Sequence, residues 1–416
     1  MVYRRSTKFL FVFFISSLFS GNAWGRFYHG DEETIDREEV LGLETYNDRA
    51  SYRYPPNFRK IFENESAVFQ VNAGSLSQTR FDYLGEIKFR SSHESPLMLQ
   101  FKSVQDEDRV EIRNQSELEL SYRLPQNIRF GILGEGGTLK EYGDIGGLVG
   151  YYQNPNRFFE VYYWWVDGFY ATKKSFPEDK HKRTPYTIGT RGEVWFDKTG
   201  VRWDISYDHP FRWYLKSRNF NYDYERTTTN VTLLHRRDDS EEFRLKTSFD
   251  HKYEKKTWFY TEQSKSIDRR VITSEFTHTR LLSAEYWEYG GALIYHQADS
   301  QYLGAGEEAE TFEPISPDVE RKEMGVFAHY GQPALDATGS FHQYGIYFNQ
   351  VRIEEGQRLG NGELKLQYAF NYEFHPTGRL FINTTWDIDQ IFSDLAKGNK
   401  TFRPWGGGNV QFQINF

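Results

Sequence analysis

The 416-residue chain contains no cysteine. Disulfide bridges, thiolate metal sites, cysteine nucleophiles and a lipid-bearing N-terminal cysteine are therefore excluded. Hydrophobic residues are also few, at 38%, against 26% charged residues and a mean hydropathy of −0.74. A bundle of membrane helices needs about 20 mostly apolar residues in a row for each span, which this composition cannot supply. Basic charge is short too: 51 lysines and arginines face 59 acids, for a formal charge of −8. That balance gives no reason to expect a nucleic-acid partner. Aromatic residues, by contrast, are abundant, with 35 Phe, 29 Tyr and 10 Trp making 18% of the chain. Disordered chains are poor in them. Low hydropathy with many aromatics fits a chain that alternates polar and apolar side chains.

The first segment has a basic start (Arg4, Arg5, Lys8), an apolar run from Phe9 to Phe19 and a small-x-small end at Ala23-Trp24-Gly25. This is the pattern of a secretory signal peptide over residues 1–25. Cleavage there would remove three basic residues and no acid, leaving a more acidic chain. Residues 26–66 are polar, acidic and without period, which predicts a periplasmic N-terminal segment.

From Ala67 to Phe416 a period of two dominates. Phe81, Tyr83, Ile87 and Phe89 alternate with Asp82, Glu86, Lys88 and Arg90, and Leu364, Leu366, Tyr368 and Phe370 with Glu363, Lys365, Gln367 and Asn371. A helix would scatter such a pattern around its axis, whereas a strand sorts it onto two faces. Many runs reach ten residues, the 9–11 that a strand needs to cross a bilayer rather than the five or six usual in soluble sheets.

The connectors alternate in length. Tight ones are expected at Leu124–Asn127, Gln153–Asn156, Asp197–Gly200, Arg237–Ser240, Leu281–Ala284 and His375–Gly378. Longer ones are expected at Gly168–Pro185, His209–Glu225, Gln297–Glu320, Ile353–Asn361 and Ile391–Pro404. Short turns on one side and long loops on the other predict an all-β, antiparallel up-and-down transmembrane barrel over residues 67–416, of about eighteen strands (sixteen to eighteen).

The terminal strand sets Val410, Phe412, Ile414 and Phe416 against Asn409, Gln411, Gln413 and Asn415. In this the sequence resembles the Gram-negative outer-membrane β-barrel proteins, porins among them, whose last strand ends on an aromatic as an assembly signal. In architecture it is similar to the alginate-export porins. The resemblance implies a place in the outer membrane, contact with its lipid and lipopolysaccharide, and delivery by the barrel assembly machinery. Trimeric porins fold a long third loop into the pore. Here the longest early loop, Gly168–Pro185, follows the seventh strand, which favours a monomer.

If the apolar faces meet lipid, the polar faces line a lumen too wide for side chains to fill. Candidates for the solute path are Arg113, Arg129, Arg191, Arg202, Arg244 and Lys246, with Tyr162, Trp164, Trp195 and Tyr347 as aromatic faces for sugar rings. Acidic Glu363, Glu373, Asp387 and Asp389 gather near the chain's end. Two readings follow: a field across the lumen that orients polar solutes, or inward charges paired between neighbouring strands. The second is favoured, because acids and bases alternate on single strands, as Glu111 and Arg113 do. No catalytic constellation, metal-ligand spacing or cofactor motif stands out. The function expected is a porin-like channel for polar or anionic solutes, with an exit channel for a secreted polysaccharide as its narrower form. The alternatives are a barrel with a structural or adhesive role and a surface enzyme.

Overall fold

A computed structural model describes residues 68–76, 81–90, 95–107, 112–137, 144–154, 156–165, 180–181, 186–215, 219–238, 240–260, 263–282, 285–303, 319–333, 341–354, 362–375, 378–388 and 405–415. The signal-peptide and acidic segments, residues 1–66, and Phe416 lie outside the described residues. Everything alternating becomes strand. Short strands come first: β1 (Val68–Leu76), β2 (Phe81–Arg90), β3 (Leu97–Glu107), β4 (Ile112–Arg123), β5 (Ile128–Gly137), β6 (Asp144–Asn154) and β7 (Arg157–Trp165). After the two-residue β8 (Lys180–His181) and β9 (Tyr186–Phe196) come long ones: β10 (Thr199–Leu215), β11 (Phe220–Asp238), β12 (Glu241–Trp258), β13 (Ser264–Leu282) and β14 (Glu285–Leu303). The chain closes through β15 (Val319–Pro333), β16 (Phe341–Glu354), β17 (Gly362–His375), β18 (Gly378–Asp387) and β19 (Trp405–Asn415).

Each strand of the wall pairs antiparallel with its sequence neighbour, and β7 passes β8 to pair with β9. The ladder then returns on itself: β1 pairs with β2 on one side and with β19 on the other, from Val68↔Asn415 to Leu76↔Gly408. No wall strand is left with a free edge, so the backbone donors and acceptors of the wall are met by neighbouring strands. The described segment β8 sits apart, against the top of β10 at Trp213↔His181.

The two faces separate as the alternation requires. On β5, Ile128, Phe130 and Ile132 are exposed on the outside while Arg129 and Leu133 are buried on the inside. On β15, Met324 and Val326 face out, and Glu323, Phe327 and His329 face in. Such a belt of exposed Leu, Ile, Val, Phe, Tyr and Trp on a closed sheet is stable in hydrocarbon and not in water. The protein is an all-β barrel that crosses a membrane.

Tight turns form at Leu124–Asn127 and around Asp197, where the predicted connectors lie. Asn127 donates to the Leu124 carbonyl at 2.9 Å, and Leu124 donates to Ile128 at 2.8 Å. Asn127 and Asp197 hold φ of 60° and 54°, a region that Asn and Asp tolerate better than other side chains. One expected connector is corrected. Residues His209–Glu225 are not a long loop, because β10 runs on to Leu215 and β11 resumes at Phe220. The ladder slips between Asp208 and Phe211, a bulge that accommodates Pro210 and reverses which residues face inward. Alternation breaks there although the strand continues, so Asp208-His209 marks a bulge and not a turn. Similarly, β14 and β15 extend to Leu303 and from Val319, into the loop expected at Gln297–Glu320.

The wall is uneven. β10 to β14 have 17 to 19 residues, against 9 to 12 in β1 to β7. At ~3.3 Å per residue and a tilt of ~40°, this is roughly 45 Å of height against roughly 25 Å, the latter matching the apolar band of such barrels. The exposed apolar residues of β11, β12 and β14, Leu233, Leu245, Trp287 and Leu293, lie towards the short-turn ends. The excess height therefore projects beyond the lipid on the long-loop side.

Replacing the outward Leu366 by Arg is expected to destabilise the barrel by about 2–4 kcal/mol near the bilayer midplane. Replacing the inward, exposed Lys246 by Gln is expected to change stability by about 0.5 kcal/mol or less. Urea unfolding in lipid vesicles checks both; equal losses would return a soluble β protein as the better description.

Candidate functional site

The inner face of β4 to β9 carries a closed ring of four charges. Arg129 on β5 bonds Glu119 on β4 and, at 2.5 Å, Glu160 on β7. Arg191 on β9 reaches the other oxygens of the same two carboxylates, Glu119 at 2.8 Å and Glu160 at 3.0 Å. Each arginine thus touches both acids, and the forked guanidinium is what allows it. Arg129 also donates to Ser121 Oγ at 2.9 Å and lies over the Tyr152 ring at 4.8 Å. Between them β6 offers Gly150, where a Cβ would come within 2.1 Å of the Phe159 carbonyl and 2.9 Å of Glu160 Cγ. Only a residue without a side chain lets the ion pairs pass over β6.

A second network continues towards the short turns. Glu193 takes Arg202 at 2.6 Å and the Trp195 indole N–H at 2.7 Å. Arg236 covers the Trp195 ring at 4.5 Å and pairs with Glu242, which also holds Arg244 at 2.8 Å. The Trp195 ring also packs on Gly200, where a Cβ would be 2.6 Å from the indole. Arg236, Gly200 and Glu193 together hold Trp195 as a braced ring on the wall.

The residues read from sequence as a solute path are therefore placed as follows. Arg129, Arg191, Arg202 and Arg244 all face the lumen, and all are paired within the wall. Lys246 faces the lumen, is exposed, and stands opposite Glu275. Arg113 stands opposite Asp106 in the β3–β4 ladder; its side chain lies outside the described ones. Tyr162 donates to Asp204 at 2.9 Å, and Trp164 lies two residues further along β7 beside Gly146. Trp195 sits eight residues along β9 from Thr187, the partner of Trp164, or ~26 Å away at strand rise. The three rings do not form one slide. The pairing reading of the inward charges describes Arg129, Arg191, Arg202 and Arg244.

A third group lies on β14 to β17; of its members sequence reading named only Tyr347, as a ring for sugars, and the structure buries it. Glu288 faces His329 Nδ1 at 3.1 Å, His329 Nε2 meets the Tyr347 hydroxyl, and Tyr347 meets Gln367 Oε1 at 2.5 Å. All four are buried, and Ala292, Ile294 and Phe327 pack beside Tyr347. Tyr347 has one hydroxyl hydrogen for two neighbours. It can therefore donate to only one of them, and the roles along the chain follow from which one it is. The inward parity of Glu288, His329 and Gln367 was available from alternation; their meeting was not, because it depends on strand stagger.

Removing one acid from the four-charge ring leaves two guanidinium groups around a single carboxylate. Glu160→Ala is expected to lose about 3–5 kcal/mol, and the double change Glu160→Gln with Arg191→Gln distinctly less. Unfolding of the variants in vesicles measures both, and additive losses would mean that the ring is not a unit.

No protein-family model matches the chain, and no curated protein matches it. Among solved structures it is similar to OccAB3 of Acinetobacter baumannii, with 8% identity and a TM-score of 0.42 over 84% of this chain and 98% of that one. It is similar to OccK5 (OpdH) of Pseudomonas aeruginosa, with 11% identity and a TM-score of 0.41 over 84% and 98%. A loop-deletion form of OmpT, an outer membrane protein of Vibrio cholerae, has 9% identity and a TM-score of 0.41 over 85% of this chain and all of that one.

Proposed function

We propose that this protein is an outer-membrane channel for polar or anionic solutes, working as a monomer and without covalent chemistry. The observation that carries this is the direction of the inward ion pairs. They run between strands along the wall, from β4 to β9 and from β9 to β12, and so brace a charged lining without reaching across the lumen. A wall of this many strands is too wide for its own side chains to fill. Export of a secreted polysaccharide is the narrower form of the same reading, and lipid, lipopolysaccharide and the assembly machinery are its partners in the membrane.

In planar bilayers the refolded barrel is expected to give discrete conductance steps. Lys246→Glu combined with Arg202→Gln is expected to shift selectivity towards cations, most strongly at low salt, where the Debye length exceeds ~8 Å. Folded protein with no conductance would overturn the channel. A second expectation concerns delivery: Phe416→Ala should leave export across the inner membrane intact and reduce recovery in the outer membrane. Normal outer-membrane recovery of that variant would remove the assembly signal from the account.

A further inference from the structure

At the short-turn end of the barrel lies a cleft of about 370 Å³, lined by Asn156, Trp195, Asp197, Lys198, Arg236 and Asp238. Its size falls in the range of small-molecule sites. Three turns build it, those of β6–β7, β9–β10 and β11–β12. Arg157 stands opposite Val194, so one step on, Asn156 comes level with Trp195. Lys198 ties its turn to the end of β11 twice. Its carbonyl accepts the Arg236 N–H at 2.8 Å, and its ammonium donates to the Arg237 carbonyl at 2.7 Å. The Ser240 N–H and hydroxyl donate to Asp238 at 2.8 and 2.5 Å, and the Asn156 N–H donates to Asn154 Oδ1 at 2.9 Å. Turn geometry thus sets the lining before any ligand arrives.

The chemistry of the lining narrows the ligand. Two aspartates stand against Lys198 and Arg236, so the formal charges of the lining cancel. Neither a polyanion nor a polycation gains from such a site as a whole. What the cleft offers is hydrogen bonding of both senses around one aromatic ring. Asp197 is exposed, and its carboxylate takes no hydrogen bond from another described residue. Lys198 and Arg236 each use part of their donors, Lys198 on Arg237 and the Arg236 Nε–H on Glu242. A carboxylate only accepts, an ammonium or guanidinium only donates, and a hydroxyl does both. Hydroxyl groups on adjacent carbons can therefore give to Asp197 or Asp238 while taking from Lys198 or Arg236. The half-buried Trp195 adds apolar indole surface for the C–H side of the same ligand ring.

We propose that this cleft is a binding site for a neutral saccharide at the periplasmic mouth of the barrel, where the short turns lie. Its groups already have their structural partners, so binding draws on their remaining hydrogen-bonding capacity and leaves the wall as it is. The site names a substrate class for the channel and rests on that reading, since a sugar passing between periplasm and lumen meets the cleft at the rim.

The test uses the full barrel in dodecylphosphocholine, a detergent without sugar. Maltose, cellobiose, lactose and chitobiose are the probes, with galacturonate and the zwitterion meso-diaminopimelate as comparisons. Saturation-transfer NMR is expected to show at least one disaccharide binding, and more tightly than either comparison. Asp197→Asn suits the same left-handed turn position, and Asp238→Asn keeps an oxygen for Ser240. Each is expected to weaken the disaccharide about tenfold, the worth of one hydrogen bond to a charged group, with the melting temperature unchanged. Trp195→Leu is expected to abolish the transfer; where that variant does not fold, the two aspartate variants decide. No transfer to any of the four disaccharides would overturn the proposal. So would a comparison that binds as tightly as the best disaccharide, or unchanged binding in both aspartate variants. Bilayer recordings on the same samples separate the two readings. Disaccharide binding without conductance leaves this site standing and removes the channel; conductance without disaccharide binding does the reverse.

Discussion

Inside a bilayer no water is present to satisfy a backbone N–H or C=O, and a sheet can cross only if its last strand finds its first. The pairing of β1 with β19 meets that demand, and the rest of the molecule depends on it. Once the ladder is closed, a strand's two faces become two solvents, hydrocarbon outside and the lumen inside. The period of two then decides the environment of every side chain. Phe130 and Arg129 are neighbours in sequence and differ by the thickness of the wall.

That simplicity explains how much was legible in the sequence. The turns at Leu124–Asn127 and Asp197–Gly200 were readable because Asn, Asp and Gly mark positions where extended backbone must reverse. The inward parity of Arg129, Arg191 and Arg202 followed from counting by twos. What defeated the reading was any local change of count. The slip at Asp208–Phe211 made a continuous strand look like a loop. The signal peptide and the acidic segment after it rest on sequence alone.

Partners were harder to see than faces. Glu119 and Arg191 are 72 residues apart and meet across three intervening strands, and Glu288, His329, Tyr347 and Gln367 meet because stagger brings them to one height. Stagger belongs to the closed barrel as a whole and has no signature in any one strand. Glycine was the overlooked clue. Gly150 and Gly200 lie where side chains from neighbouring strands must cross, and an inward glycine between charged strands marks a crossing of that kind.

The unequal strands leave one more consequence. Around the closed ladder β12 stands opposite β2, so the longest strands and some of the shortest face each other across the opening. The rim traced by the strands is an oblique cut, high at β10–β14 and low at β1–β7. In a membrane such a cut gives the barrel a front and a back: two molecules turned by half a circle about the membrane normal present strands of different height to the same neighbour.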